Sequence, residues 1–394
     1  MDSRKRPEEI AKILLKCQGV TPNTTDKDGR TPLSLAAEKG REGTVKALLE
    51  CQDVTPDTVD EGGQTPLSWA VTRCCWGIVK MLLERQDVTP NTTDKDGRTP
   101  LSLAAEFGEE DIVQMLLKRQ DITPDTTDND GRTPLSWAVT VCYWSIVKML
   151  LERQDVTPNT TDKDGRTLLS LAAEFGEEDI VQTLLKRQDI TPDATDKDGR
   201  TPLSLAAEFG EEDIVQMLLE RQDITPDTAD NDGRTPLSWA AANGYLRVVQ
   251  ILLRQKGVIP DSVDNEGRTP LSWAAASGYL RVVHWLLKRE DVIPDTADKD
   301  GRTPLSWATA SGDTRTVEII LQRCSTNKNI VVTDLTDQTE PTHTLKKRPV
   351  RVLKRPLENQ SLVPQSATSN SSIDLFPAEA PEPSQRPTKR TRRF

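Results

Sequence analysis

Asp94-Lys95-Asp96-Gly97-Arg98-Thr99-Pro100-Leu101-Ser102-Leu103-Ala104-Ala105-Glu106-Phe107-Gly108 decides the fold, because lightly edited copies of it run along most of the chain. The threonine of its Thr-Pro-Leu core falls at Thr31, Thr65, Thr99, Thr133, Thr201, Thr235, Thr269 and Thr303; Thr167 keeps the register with Leu168 in place of the proline. Every step is 34 residues, which gives nine full units. A fixed period of this size predicts a repeat array.

One unit reads as a turn and two short helices. Asp128-Asn129-Asp130-Gly131 suits a type I turn, with Asp first and Gly fourth. Thr133 is placed to cap a helix, with Pro134 at its first position, where a missing N–H costs nothing. In the unit quoted above, the first helix is expected over about Pro100 to Glu106, with Leu101, Leu103 and Ala104 inward and Gly108 as a left-handed stop. Glu109, Glu110 and Asp111 open a second helix at its positive dipole end, and Lys118 and Arg119 close it at the negative one. Ile112, Val113, Leu116 and Leu117 repeat at helical spacing and form its expected buried face. Pro124 then fits an extended connector. Burial of about six aliphatics within one unit cannot offset the entropy of ordering 34 residues, so neighbours must stack.

The turn, Thr-Pro-Leu, Leu-Ala-Ala, Gly and paired helices together resemble the ankyrin repeat over about residues 8–325. That resemblance implies an all-α solenoid of helix-turn-helix units with short turn or hairpin fingers, and a non-enzymatic role in holding another protein. The chain departs from the usual family pattern in two ways. It has one extra residue per unit, and it has Ser34, Ser68, Ser102, Ser136, Ser170, Ser204, Ser238, Ser272 and Ser306 where His is common. The family's imidazole bonds between repeats are therefore not expected. The 34-residue Thr-Pro-Leu-Ser-Trp form is similar to the ankyrin arrays of fungal multidomain, NACHT-containing receptor-like proteins.

Three regions follow: residues 1–27 as a partial N-terminal repeat or cap, 28–325 as nine repeats, and 326–394 as a disordered tail. Glu8 to Leu15 reads as a second helix without a first, so either Met1 to Cys17 is a minimal cap or the chain derives from a longer ancestor. Repeats two to five show a doubled period. Leu67–Thr72 and Leu135–Thr140 carry Leu-Ser-Trp-Ala-Val-Thr and alternate with Leu-Ala-Ala-Glu-Phe-Gly units. There Cys74 and Cys142 replace the terminating glycine. Each is expected either to take a strained left-handed backbone or to mark a different turn, with Trp76 and Trp144 covering it. Trp239, Trp273 and Trp307 recur at one position of the last three repeats, and the ninth reads as a C-terminal cap. The tail has eight prolines and few apolar residues, so it cannot bury enough surface to order itself.

Charge separates the same regions. Of 51 Lys and Arg and 62 Asp and Glu, residues 326–394 hold 12 and 7, which leaves 39 and 55 in residues 1–325. An acidic array repels nucleic acid and favours basic partners. No apolar stretch reaches membrane-span length, and the N-terminus lacks the apolar core of a signal peptide. A cytoplasmic or nuclear protein is expected. Six cysteines then argue for thiols and not disulfides, and Asn23, Asn91 and Asn159 in Asn-Thr-Thr are repeat residues and not glycan acceptors.

Signatures of chemistry are weak. Asp94-Lys95-Asp96-Gly97 puts glycine fourth, not sixth as a calcium loop requires. Cys74-Cys75 lacks zinc-ligand spacing, His284 and His343 stand alone, and no phosphate loop or nucleophile elbow occurs. No catalytic residue, metal, cofactor or small-molecule substrate is expected. In arrays of the family, the turn tips and the exposed side of the first helices line one concave face. The matching residues are Lys95, Asp96, Arg98, Glu106 and Phe107; then Lys163, Asp164, Arg166, Glu174 and Phe175; then Lys197, Asp198, Arg200, Glu208 and Phe209. Val141 fills the Phe slot of repeat four. Stacking would align Phe107, Val141, Phe175 and Phe209 in an apolar stripe about 30 Å long, flanked by charge as interface hot spots are. In the tail, Lys389, Arg390, Arg392 and Arg393 fit the short basic pattern read by a nuclear import receptor; non-specific binding to phosphate or an anionic surface and an inert solvated tail are the two other readings.

Overall fold

The computed structural model describes residue 9 and residues 21–326. The Thr-Pro-Leu period becomes a period of helix pairs. The first helices are Pro32–Glu38, Pro66–Thr72, Pro100–Phe107, Pro134–Thr140, Leu168–Phe175, Pro202–Phe209, Pro236–Asn243, Pro270–Ala276 and Pro304–Ser311. The second helices are Glu42–Leu49, Trp76–Leu83, Glu110–Leu117, Trp144–Leu151, Glu178–Leu185, Glu212–Leu219, Leu246–Leu252, Leu280–Leu287 and Thr314–Thr326. No strand occurs among the described residues. Repeats are numbered here one to nine by their capping threonines. First helices stack on first helices of adjacent repeats, second on second, and each pair packs on itself.

Helices this short are not stable alone, and each start is fixed locally. Thr99 is extended (φ −80°, ψ 164°), and its Oγ1 accepts the Ser102 N–H at 3.1 Å. The Ser102 hydroxyl lies 3.0 Å from the same Oγ1. The serines that replace the family's histidine thus bond within their own repeat. Gly108 ends the helix in the left-handed region (φ 76°). Cys74 and Cys142 take that same region, with φ 55° and 62°, the only non-glycine residues described to do so. The strained backbone is therefore the form that repeats two and four adopt. Trp76 and Trp144, beside these turns, are 64% and 37% exposed. Each is the first residue of a second helix whose buried side begins two residues later, at Ile78 and Ile146.

The core is continuous from Leu33 to Ile320. Leu101, Leu103, Ala104, Ala105, Ile112, Val113 and Leu116 are buried as the spacing predicts, while Leu117 is half-buried. At the fingers, Gly97 N–H donates to Asp94 O, and Asp94 Oδ1 accepts the Asp96 and Arg98 N–H groups at 3.0 and 2.8 Å. Neighbouring fingers are joined through backbone: Lys95 N–H donates to Gly62 O at 2.9 Å, and Asn129 N–H to Asp96 O at 2.8 Å. Gly97 has a second reason to be glycine beyond its φ of 79°, since a Cβ there would lie 2.9 Å from Asn129 N.

Residues 1–20 apart from Glu9, and residues 327–394, lie outside the described residues. So do the expected tail with its basic residues Lys389, Arg390, Arg392 and Arg393, and most of the N-terminal cap.

Candidate functional site

The charged positions singled out in the repeat are gathered into one network per repeat. Arg98 sits at its centre. Its Nε donates to Asp94 Oδ2 at 3.0 Å, Nη1 to Glu106 Oε2 at 3.2 Å and Nη2 to Asp96 Oδ2 at 3.0 Å. Arg166 repeats this with Asp162 at 2.7 Å, Glu174 at 2.9 Å and Asp164 at 3.6 Å. Arg200 does so with Asp196, Glu208 and Asp198 at 2.8, 3.1 and 3.4 Å. Burial raises the Glu106 carboxyl above its ordinary value, against the pull of Arg98. Lys95, Lys163 and Lys197 are exposed, and Lys163 Nζ reaches Asp130 of the preceding repeat at 2.7 Å.

Phe107, Phe175 and Phe209 each close a first helix, and Val141 caps one. All four are half-buried. Phe107 and Phe175 lean on the core with one side. In repeats three, five and six the Glu of this network and the Phe are consecutive residues at the end of the first helix. His284 is exposed on its second helix.

Three features were missed by reading the sequence. First, Arg119 was assigned only to the helix dipole. In the structure its guanidinium donates to three carbonyls of the preceding repeat, Leu83 O and Arg85 O at 2.9 Å and Val88 O at 3.2 Å. Arg85, Arg153, Arg187, Arg221 and Arg289 each reach one such carbonyl. Each fork is held by an Asp two residues on, as Arg119 is by Asp121 at 2.8 and 2.6 Å. These clamps satisfy helix-end carbonyls that would otherwise be orphans. The recurring Arg-x-Asp was their sequence signal.

Second, Trp69, Trp137, Trp239, Trp273 and Trp307 each donate their indole N–H to the finger Asp nine residues earlier, at 2.8 to 3.0 Å. The constant spacing of nine was visible. Third, the connectors of adjacent repeats are tied side chain to backbone. Asn91 Oδ1 accepts the Thr123 N–H at 3.0 Å and its Nδ2 donates to Asp121 O at 2.6 Å.

Among the described residues, no group of His, Cys, Asp and Glu is placed to hold a metal ion, and no helix is long and apolar enough to cross a membrane. Cys51, Cys74, Cys75, Cys142 and Cys324 are not in disulfides. Burial and the Glu109 carboxylate push the Cys74 thiol up to about 12, which makes it a poor nucleophile. The groove between the second helices of repeats five and six is open and lined by Glu178, Asp179, Asp213 and Glu220.

A family model described as ankyrin repeats (3 copies) matches residues 3–94, 77–162, 143–230, 169–264, 222–296 and 256–334. No curated protein matches the chain.

Proposed function

Because the chain belongs to the ankyrin-repeat family, whose arrays are protein–protein interaction modules, we propose that it is a non-enzymatic scaffold holding a protein partner across the edges of its first helices. The residues proposed to make the contact are Lys95, Asp96, Arg98, Glu106, Phe107, Val141, Lys163, Arg166, Phe175, Lys197, Arg200 and Phe209. One observation supports this reading above the others: Phe107, Val141, Phe175 and Phe209 recur at the same helix end in four consecutive repeats, each half-exposed. Apolar groups at an edge of charge are what interface hot spots use.

The mechanism is recognition on a surface that is already built. Arg98, Arg166 and Arg200 are held by their carboxylates before any partner arrives, and the fingers are fixed by backbone bonds between repeats. Little ordering entropy is then lost on binding. In the test, wild-type protein and a Phe107→Ala/Phe175→Ala/Phe209→Ala variant are used to capture partners from extract, with helicity measured in parallel. The reading expects capture to be lost and helicity kept. Loss of helicity would place these side chains in the core, and unchanged capture would move the site elsewhere.

A second reading is a nuclear regulator recruited by the array and carried by an import receptor on Lys389, Arg390, Arg392 and Arg393. It is supported by the basic run in the sequence. A reporter fused to residues 340–394 tests it, and a purely cytoplasmic signal would end it.

A further inference from the structure

The repeats differ in what their finger arginine holds. In repeats three, five and six it is surrounded by three carboxylates. In repeats four and nine, Arg132 and Arg302 still pair with Asp128 and Asp130, and with Asp298 and Asp300. Arg234 and Arg268, in repeats seven and eight, make no ion pair with any described residue, and their Nε atoms are buried without a hydrogen-bond partner.

The difference lies in having two tryptophans in succession. Trp239 and Trp273 donate to Asp230 Oδ2 and Asp264 Oδ2 at 2.9 Å, but Trp137 and Trp307 do the same to Asp128 and Asp298 while Arg132 and Arg302 keep those oxygens as partners. Consecutive tryptophan repeats then draw each guanidinium between two rings. Arg234 lies 4.7 Å from the Trp239 ring centre and 4.2 Å from that of Trp273. Arg268 lies 4.8 Å from both Trp273 and Trp307. Arg132 has only its own Trp137, because repeat five carries Leu171. The Glu of the leucine repeats is also gone: its place is taken by Ala242 and Ala276. Asp232 and Glu266 stay exposed at the finger tips.

A guanidinium covered on both faces by indoles is held between them by cation–π attraction. It loses hydration there, and its in-plane fork stays oriented to grip a carboxylate through two parallel bonds. We propose that Arg234 and Arg268 form a carboxylate-reading site for an acidic stretch of extended polypeptide. The alanines at 242 and 276 leave room where the leucine repeats place their own glutamate. Stacked helices are about 8–10 Å apart, and three residues of extended chain span about 10 Å. The peptide should therefore present two acids three residues apart. This site uses none of the phenylalanines invoked above, so either reading can fail without the other.

The test is fluorescence anisotropy of labelled Gly-Gly-Glu-Ala-Ala-Glu-Gly-Gly titrated with the full chain. Saturable binding is expected, at least tenfold weaker for the Gln-Ala-Ala-Gln peptide and at least tenfold weaker for the R234Q/R268Q variant. R132Q, at an arginine that keeps its ion pairs, should bind like wild type. Circular dichroism and thermal melting establish that R234Q/R268Q is folded; should it melt, the peptide comparison on wild-type protein decides alone. The proposal is overturned if no saturable binding occurs at millimolar peptide, if the two peptides bind alike, or if a folded R234Q/R268Q binds as wild type. It is also overturned if millimolar inorganic phosphate displaces the peptide as well as excess unlabelled peptide does, because the site would then select phosphate.

Discussion

Replacing Asp261 by asparagine should stabilise the array. At this connector position the repeats carry either Asn or Asp, and the structure shows what the difference costs. Asn23, Asn91 and Asn159 both accept an N–H from the next connector and donate Nδ2 to the carbonyl of the residue 30 positions on. Asp57, Asp125, Asp193, Asp227 and Asp261 accept the same N–H, Asp261 from Ile293 at 2.6 Å. Their second oxygens, Oδ1, are buried with no donor. A carboxylate cannot donate to the carbonyl that the asparagines use, which for Asp261 is that of Asp291. An unmade buried hydrogen bond costs about 1–3 kcal/mol, so Asp261→Asn should gain about 1–2 kcal/mol at pH 7, read by urea titration. Burial, assisted by the nearby Asp291 charge, also raises the Asp261 carboxyl above 3.8. A raised folded value means that the acid's favourable contribution is present at low pH and is lost as pH rises through that value. The advantage of asparagine should therefore shrink as pH falls through it. Asn91→Asp should do the reverse, losing about 1–3 kcal/mol at pH 7. The reasoning is refuted if Asp261→Asn is neutral or destabilising at pH 7 while Asn91→Asp is tolerated.

Arg119→Ala should destabilise by about 1.5–3 kcal/mol, the range for hydrogen bonds to a charged donor, and by more than Arg153→Ala, which removes one carbonyl bond and not three; urea midpoints compare them. Cys142→Gly should stabilise by about 1 kcal/mol, because glycine relieves a left-handed backbone that costs other residues about 1–2 kcal/mol, and thermal melting reads it. Asp87, Asp121, Asp155, Asp189, Asp223 and Asp291 are each held below 3.8 first of all by a hydrogen bond from their arginine. Their contribution is present above pH 3.8 and is lost as pH falls through the lowered folded values, so melting temperature should drop below pH 4, and by less in a variant carrying Gln at all six arginines.

The period, the caps and the buried faces were legible because they depend on one repeat at a time. Thr99 caps its own helix, and Leu101 and Ile112 repeat at the spacing of their own helices. What escaped the reading lies between repeats. Arg119 looks like a dipole residue until the carbonyl of Leu83, 36 positions back, is brought beside it. Trp273 looks like a larger Leu103 until its N–H meets Asp264 and its two faces meet Arg234 and Arg268. Asn91 and Asp125 look interchangeable in a polar connector, and only the packed neighbour shows that one oxygen of Asp125 has no donor.

Every part of this account rests on repeats that are stable only through their neighbours. The direct measurement is amide hydrogen exchange, repeat by repeat, in wild type and in Leu184→Ala, a fully buried side chain in the second helix of repeat five. Truncating such a leucine costs about 2–5 kcal/mol. Protection should fall most in repeat five, less in repeats four and six, and not at all in repeats one and nine. Equal loss in all nine, or loss confined to repeat five, would contradict the account.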